Sequence, residues 1–194
     1  MALEPNLTFV GSGNLAWHLA PALDNVGFVV KEVYSRNPKH ALELTKRLYQ
    51  AEVKDSLDFS DSRSSVFVVS ISDDAIEEVA QEIVLPEDAI LVHTSGSQPI
   101  NVLAYAATPH IGVFYPLQSF TKSRKVEFRE IPIFVESETS KASAIITDMA
   151  KAISWWTRAA RRENRDSQYS LGIIFATGAP GVARDMTQAE YWWR

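Results

Sequence analysis

The run Gly11-Ser12-Gly13-Asn14-Leu15-Ala16 sets two glycines and a small residue where a chain would have to lie close against a phosphate. Gly11 permits a tight turn, Gly13 lets the backbone approach a pyrophosphate, and Ala16 takes the third glycine's place where helix meets strand. A helix starting at Leu15 would offer unpaired N–H groups and a positive dipole end to the anion. Gly11, Ser12, Gly13, Asn14 and Leu15 are therefore the candidate pyrophosphate contacts. The competing reading is a structural strand–helix turn with no ligand.

About twenty residues further on, an NAD site usually presents an acid to the ribose 2′-hydroxyl. This chain reads Tyr34-Ser35-Arg36-Asn37 there. Ser35 can donate to a 2′-phosphate, and Arg36 brings a planar fork and a full positive charge. Glu32 lies mid-strand and is expected to point away from the crevice or into the sheet. NADP is thus favoured over NAD, against the plainer reading of Arg36 as an exposed loop arginine.

Two further loops carry chemistry. In Ser70-Ile71-Ser72-Asp73-Asp74, Ile71 and Ser72 are expected to line the cofactor and Asp73 to cap the next helix, with a plain N-cap role as the alternative. In His93-Thr94-Ser95-Gly96, His93 is a candidate for proton transfer, and Thr94 and Ser95 for bonding a carbonyl or the nicotinamide amide. The alternative for His93 is a bonded structural histidine. His18 and His40 fall in helical patterns and read as structural or exposed, while His110 is ambiguous. Tyr115, Gln118 and Ser119 leave a strand through a proline turn. They either face the same crevice or belong to an aromatic packing strand.

The elements that would position these loops alternate. Strands are expected at Leu7–Val10, 29–34, 51–53, 66–71, 89–93, 111–114 and 131–136. Helices are expected at 15–23, 38–49, 73–83 and Ser140–Ile153, with a short helix or loop at 100–105. Short, wholly apolar strands separated by helices imply an α/β doubly wound, mostly parallel sheet of the Rossmann type, covered on both faces. The serine-rich segment 56–65 reads as a solvated loop.

Composition limits the partners. The 194 residues carry a net charge of −5 without a long basic run, which argues against nucleic acid. With no cysteine, disulfides, thiolate zinc clusters and cysteine nucleophiles are excluded, and no metal site is expected. No apolar run reaches the roughly 18 residues of a membrane span, and no signal-peptide pattern precedes the first strand. A soluble cytoplasmic protein is the expectation.

Taken in order, the glycine loop, Tyr34-Ser35-Arg36, Ser72-Asp73-Asp74-Ala75-Ile76, His93-Thr94-Ser95-Gly96 and Gly112-Val113-Phe114-Tyr115-Pro116-Leu117-Gln118-Ser119-Phe120 resemble the Rossmann-like DUF2520 family. That group is similar to pyrroline-5-carboxylate reductases, deazaflavin-dependent NADP reductases and the wider 6-phosphogluconate dehydrogenase-like superfamily. The resemblance covers residues 5–153. It implies an NADP-binding domain there, then a helical domain that dimerises and closes a site for hydride transfer to C=O or C=N.

Residues 154–194 depart from that pattern. They hold six arginines, no lysine and four of the five tryptophans. Two readings stand: an arginine-rich tail helix with aromatic anchors, or sequence from outside the native reading frame. The expected function is an NADP-dependent oxidoreductase of unknown small-metabolite substrate, with a homodimer formed through the C-terminal region. The alternative is a non-catalytic NADP-binding sensor or partner-binding module.

Overall fold

The computed structural model describes residues 5–153. The expected tail (154–194) and any dimer contact within it lie outside the described residues. Seven strands form one sheet: β1 (Leu7–Val10), β2 (Val30–Tyr34), β3 (Glu52–Lys54), β4 (Val66–Val69), β5 (Ile90–His93), β6 (His110–Pro116) and β7 (Ile133–Ser137). Their spatial order is β3-β2-β1-β4-β5-β6-β7. All neighbouring pairs are parallel except β6 and β7, which run antiparallel. This is the Rossmann-type α/β fold. The order reverses direction between β1 and β4, where open sheets of this kind leave a crevice beyond the strand carboxyl ends.

Alternation along each strand splits the core into two layers. Leu7, Phe9, Val68, Val92 and Phe114 face one side, under α1 (Asn14–Asp24) and α4 (Ser140–Ile153). Val10, Phe67, Val69, Leu91 and Val113 face the other, under α3 (Ile76–Glu82). Strands buried on both faces explain the near-continuous apolar runs in the sequence.

Several boundaries differ from the expectation, each for a local reason. The helix expected over 38–49 is α2 (Pro38–Thr45). Beyond it, the Asp24 carboxylate accepts from the Tyr49 amide at 2.9 Å and from the Val30 amide at 3.0 Å, pinning the chain to the end of α1. The helix expected over 73–83 opens as a 3-10 turn, Asp73–Ala75, before α3 begins. The loop 56–65 is not simply solvated. Phe59 is fully buried in the α3-side core, and Ser62 donates to Glu32 at 2.5 Å.

Pro21 lies within α1, where it has no N–H for the Trp17 carbonyl. The Arg47 guanidinium donates to that carbonyl instead and lies over the Trp17 ring, 4.2 Å from its centre. Among the described residues, no helix is long and apolar enough to cross a membrane.

Candidate functional site

The crevice is built from the carboxyl ends of β1, β2, β4 and β5. Gly11 follows β1 with φ +116°, a value that L side chains rarely adopt. Its amide donates to the Tyr34 carbonyl at 2.8 Å, tying the loop to β2. A Cβ at Gly11 would run into the Ser70 carbonyl and lie 2.7 Å from Ile71 Cγ2. The next glycine, Gly13, is the N-cap of α1 and makes no side-chain cap. The first amides of α1 are therefore left for an anion. Ser12 Oγ donates to Ser35 Oγ at 3.0 Å, linking the glycine loop to the end of β2.

These elements enclose a cavity of about 650 Å³, within the ordinary range for a ligand site. Gly11, Ser12, Gly13, Asn14, Leu15, Ser35, Arg36, Ile71, Ser72 and Thr94, all expected at the site, line it. Sequence reasoning missed other parts of the wall. Leu57 and Val79 join Ile71 in an apolar side suited to a flat base, and His40 and Lys122 add nitrogen groups to the wall. The signal for His40 was its place in the first turn of α2, three residues after the Asn37 cap. For Lys122 no local signal exists, since it comes from the segment after β6.

Ser72 stands before the 3-10 turn without any side-chain cap bond, so its hydroxyl is available to the crevice. Asp73, expected to cap the following helix, makes no cap there: Ala75 holds that position without a side-chain bond. The Asp73 carboxylate accepts from the Ser97 hydroxyl. Ser95, expected at the reaction end, is a turn builder: its Oγ accepts from the amides of Ser97 and Gln98, both at 3.1 Å. Thr94 does reach the crevice, its hydroxyl donating to the Val69 carbonyl at 3.3 Å. Tyr115 packs on Gly96, where a Cβ would strike its ring, and stacks with Phe134 at 6.4 Å. This is the packing alternative. Gln118 and Ser119 likewise lie outside the crevice wall.

His93 is fully enclosed and does not line the crevice. Its Nδ1 accepts from the Ser95 amide at 3.2 Å, which places the proton of the neutral ring on Nε2. That nitrogen is buried with no partner in hydrogen-bonding geometry. Burial holds the His93 pKa below the usual 6.5, partly offset by the Pro99 carbonyl and the Asp73 charge. The unfolded chain therefore binds the extra proton more readily than the folded one, so this group's penalty is absent above about pH 6.5 and grows as pH falls below it. Thermal melts between pH 7.5 and 5 should show the wild type losing stability on acidification, and His93→Gln losing less. Parallel curves for the two proteins would contradict this.

The family model described as NADP oxidoreductase, coenzyme F420-dependent, matches residues 6–96. A Bacteroides fragilis protein named as a putative NADP oxidoreductase is 34% identical over 89% of this chain and 72% of its own, with TM-score 0.70. The chain belongs to this NADP oxidoreductase family. Prephenate dehydrogenase from Aquifex aeolicus, solved with NAD+, shares the fold at 13% identity (TM-score 0.65, 98% of this chain and 80% of that one). Pyrroline carboxylate reductase from Plasmodium falciparum, solved with NADP, shares it at 14% identity (TM-score 0.60, 98% and 75%). No curated protein matches the chain.

For a member of this NADP oxidoreductase family, the residues present fit the cofactor. The Cβ-free cradle at Gly11 and the uncapped α1 terminus suit a pyrophosphate. Ser35 and Arg36 border the same cavity without an acid at the end of β2.

Proposed function

We propose that this chain is an NADPH-dependent reductase acting on a C=O or C=N group of a small metabolite, within the DUF2520-like branch of its family. One observation carries the reading: a glycine with φ +116°, jammed against the Ser70 backbone, opens at the bare N-terminus of α1 onto a cavity ending at Ser35 and Arg36. Gly11 makes the turn with its own amide held by Tyr34, and the backbone amides of Ser12 to Leu15 bind the pyrophosphate. Ser35 and Arg36 read the 2′-phosphate. Ile71 and Ser72 flank the ribose and nicotinamide.

The cofactor, when bound, would supply a hydride to the C=O or C=N carbon, while the oxygen or nitrogen takes its proton from solvent. Thr94 keeps a lone pair free at that end, since its hydroxyl hydrogen goes to the Val69 carbonyl. His93 and Ser95 hold the loop that carries Thr94. The same reading takes residues 5–153 as the cofactor-binding unit and leaves self-association to the segment beyond it.

NADPH consumption by the full chain against imines, ketones and aldehydes tests the reductase reading. A second reading, a non-catalytic NADP sensor, is favoured by one feature: at the nicotinamide end the described wall offers the hydroxyls of Ser72 and Thr94, with His93 shut away. Tight NADPH binding with no turnover on any substrate would select it.

Selectivity provides a further prediction. Arg36→Ala removes a charge-assisted contact to the 2′-phosphate and should weaken NADPH about tenfold while leaving NADH nearly unchanged. Calorimetry with both cofactors checks it. Equal or tighter NADH binding by the wild type would overturn the NADP preference.

A further inference from the structure

The segment after β6 turns back over α1 and brings a lysine to the far side of the cofactor crevice. The Thr121 carbonyl meets His18 Nε2 at 2.9 Å, and the Phe120 ring lies 6.1 Å from that of His18 and 5.9 Å from that of Phe128. This fixes Lys122 between α1 and α2. Its Nζ sits 4.6 Å from the Trp17 ring centre and 3.9 Å from Glu43 Oε2.

Two cations share the Trp17 ring, and they are not equivalent. Arg47 is tied down by the Trp17 carbonyl that Pro21 leaves unpaired. Lys122 has the ring face and one long, exposed ion pair, its side chain being 36% exposed and that of Glu43 56%. Such pairs hold weakly. Lys122 also lines the cavity that contains Ser35, Arg36 and His40. His40 and Glu43 are three residues apart on α2, so the step from one to the other is about one helical turn, ~5 Å. A lysine's flexible four-carbon stem covers that distance.

We propose that Lys122 is a specificity-determining residue of the cofactor site. It leaves Glu43 when NADP binds and adds its charge to the 2′-phosphate beside Ser35 and Arg36. This rests on the NADP reading above. A phosphate with nearly two negative charges outcompetes one exposed carboxylate for the ammonium. With NADH there is no phosphate at this position, and Lys122 stays over Trp17. The residue thus acts on the choice between cofactors rather than on dinucleotide binding as such, and the segment after β6 gains an anchor only in the NADP complex.

Calorimetric titration of the full chain with NADPH and NADH tests this, using wild type, Lys122→Gln and Glu43→Gln. Lys122→Gln should weaken NADPH about tenfold with NADH unchanged, and should flatten the salt dependence of NADPH binding. Glu43→Gln should tighten NADPH a few-fold by releasing the lysine. This second variant keeps the test open if Lys122→Gln folds poorly. An equal loss for both cofactors assigns Lys122 a purely structural role and overturns the proposal, as does no loss for NADPH. If Arg36→Ala abolishes NADPH preference while Lys122→Gln leaves it intact, the NADP reading stands and this inference alone fails. A wild type without preference overturns both.

Discussion

Gly11→Ala is expected to abolish cofactor binding and to lower the melting temperature, whereas Gly13→Ala should abolish or severely weaken binding with little change in stability. The two glycines meet different obstacles. At Gly11 the backbone is at φ +116°, and a Cβ would collide with the Ser70 carbonyl, a backbone atom of the adjoining strand exit. Neither obstacle can rotate away. A non-glycine residue in the left-handed region costs roughly 1–2 kcal/mol before any clash, and forcing β1 and β4 apart adds to it. At Gly13 φ is −71° and the nearest atom to a new Cβ is the Ser70 carbonyl oxygen at 3.9 Å. The free protein tolerates a methyl there. The pyrophosphate would have to approach through that space, so affinity should fall about a hundredfold or more. Thermal melts and calorimetry on the two variants separate the effects. A Gly13→Ala protein that binds NADPH normally would mean that the anion does not sit against this turn.

The second large effect concerns Glu32, whose carboxylate is buried inside the sheet. It accepts from Thr8 Oγ1 at 2.6 Å and from Ser62 Oγ at 2.5 Å, with Lys54 Nζ at 3.7 Å from its other oxygen. Thr8 is fully buried on β1, and Glu32 itself is 6% exposed. Glu32→Ala would leave a buried hydroxyl without an acceptor and a half-buried lysine without its inner partner. The expected loss is about 3 kcal/mol, read as a fall in denaturation midpoint at unchanged slope. Adding Thr8→Val should recover part of the loss, because the orphaned donor is removed with its acceptor. The NADPH-to-NADH affinity ratio should stay unchanged in Glu32→Ala. A shifted ratio would show that Glu32 reaches the ribose after all.

Much of the crevice was legible in the sequence because its chemistry is local. Gly11, Ser12 and Gly13 lie between an apolar strand and a helix, and the turn demands those residue types wherever the chain goes next. The parallel sheet was legible for the same kind of reason: a strand covered on both faces must be apolar at every position, as Val66–Val69 is.

Side-chain fate was less legible. Asp73 and Ser95 have the right types for capping and catalysis, yet each is held by a hydroxyl or amide that the turn 94–98 brings to it. His93 has the right type for proton transfer, but strand β5 places it inside the layer rather than on its rim. Serines dominate the loop 56–65 and by type alone suggest a solvated segment. One aromatic, Phe59, and one buried acceptor, Glu32, decide otherwise.

By itself, the sequence determined the α/β class, the place of the glycine cradle and the absence of an acid at the end of β2. These follow from periodicity and turn chemistry within windows of a dozen residues. Only the tertiary structure decided which distant groups join the crevice. Lys122 reaches it because the segment after β6 folds back over α1, and Leu57 and Val79 share its wall because the chain after β3 is bonded to the chain after α3, the Val84 amide donating to the Leu57 carbonyl at 3.0 Å. Such meetings depend on how the chain crosses the sheet, and no local pattern of residues encodes a contact between positions a hundred residues apart.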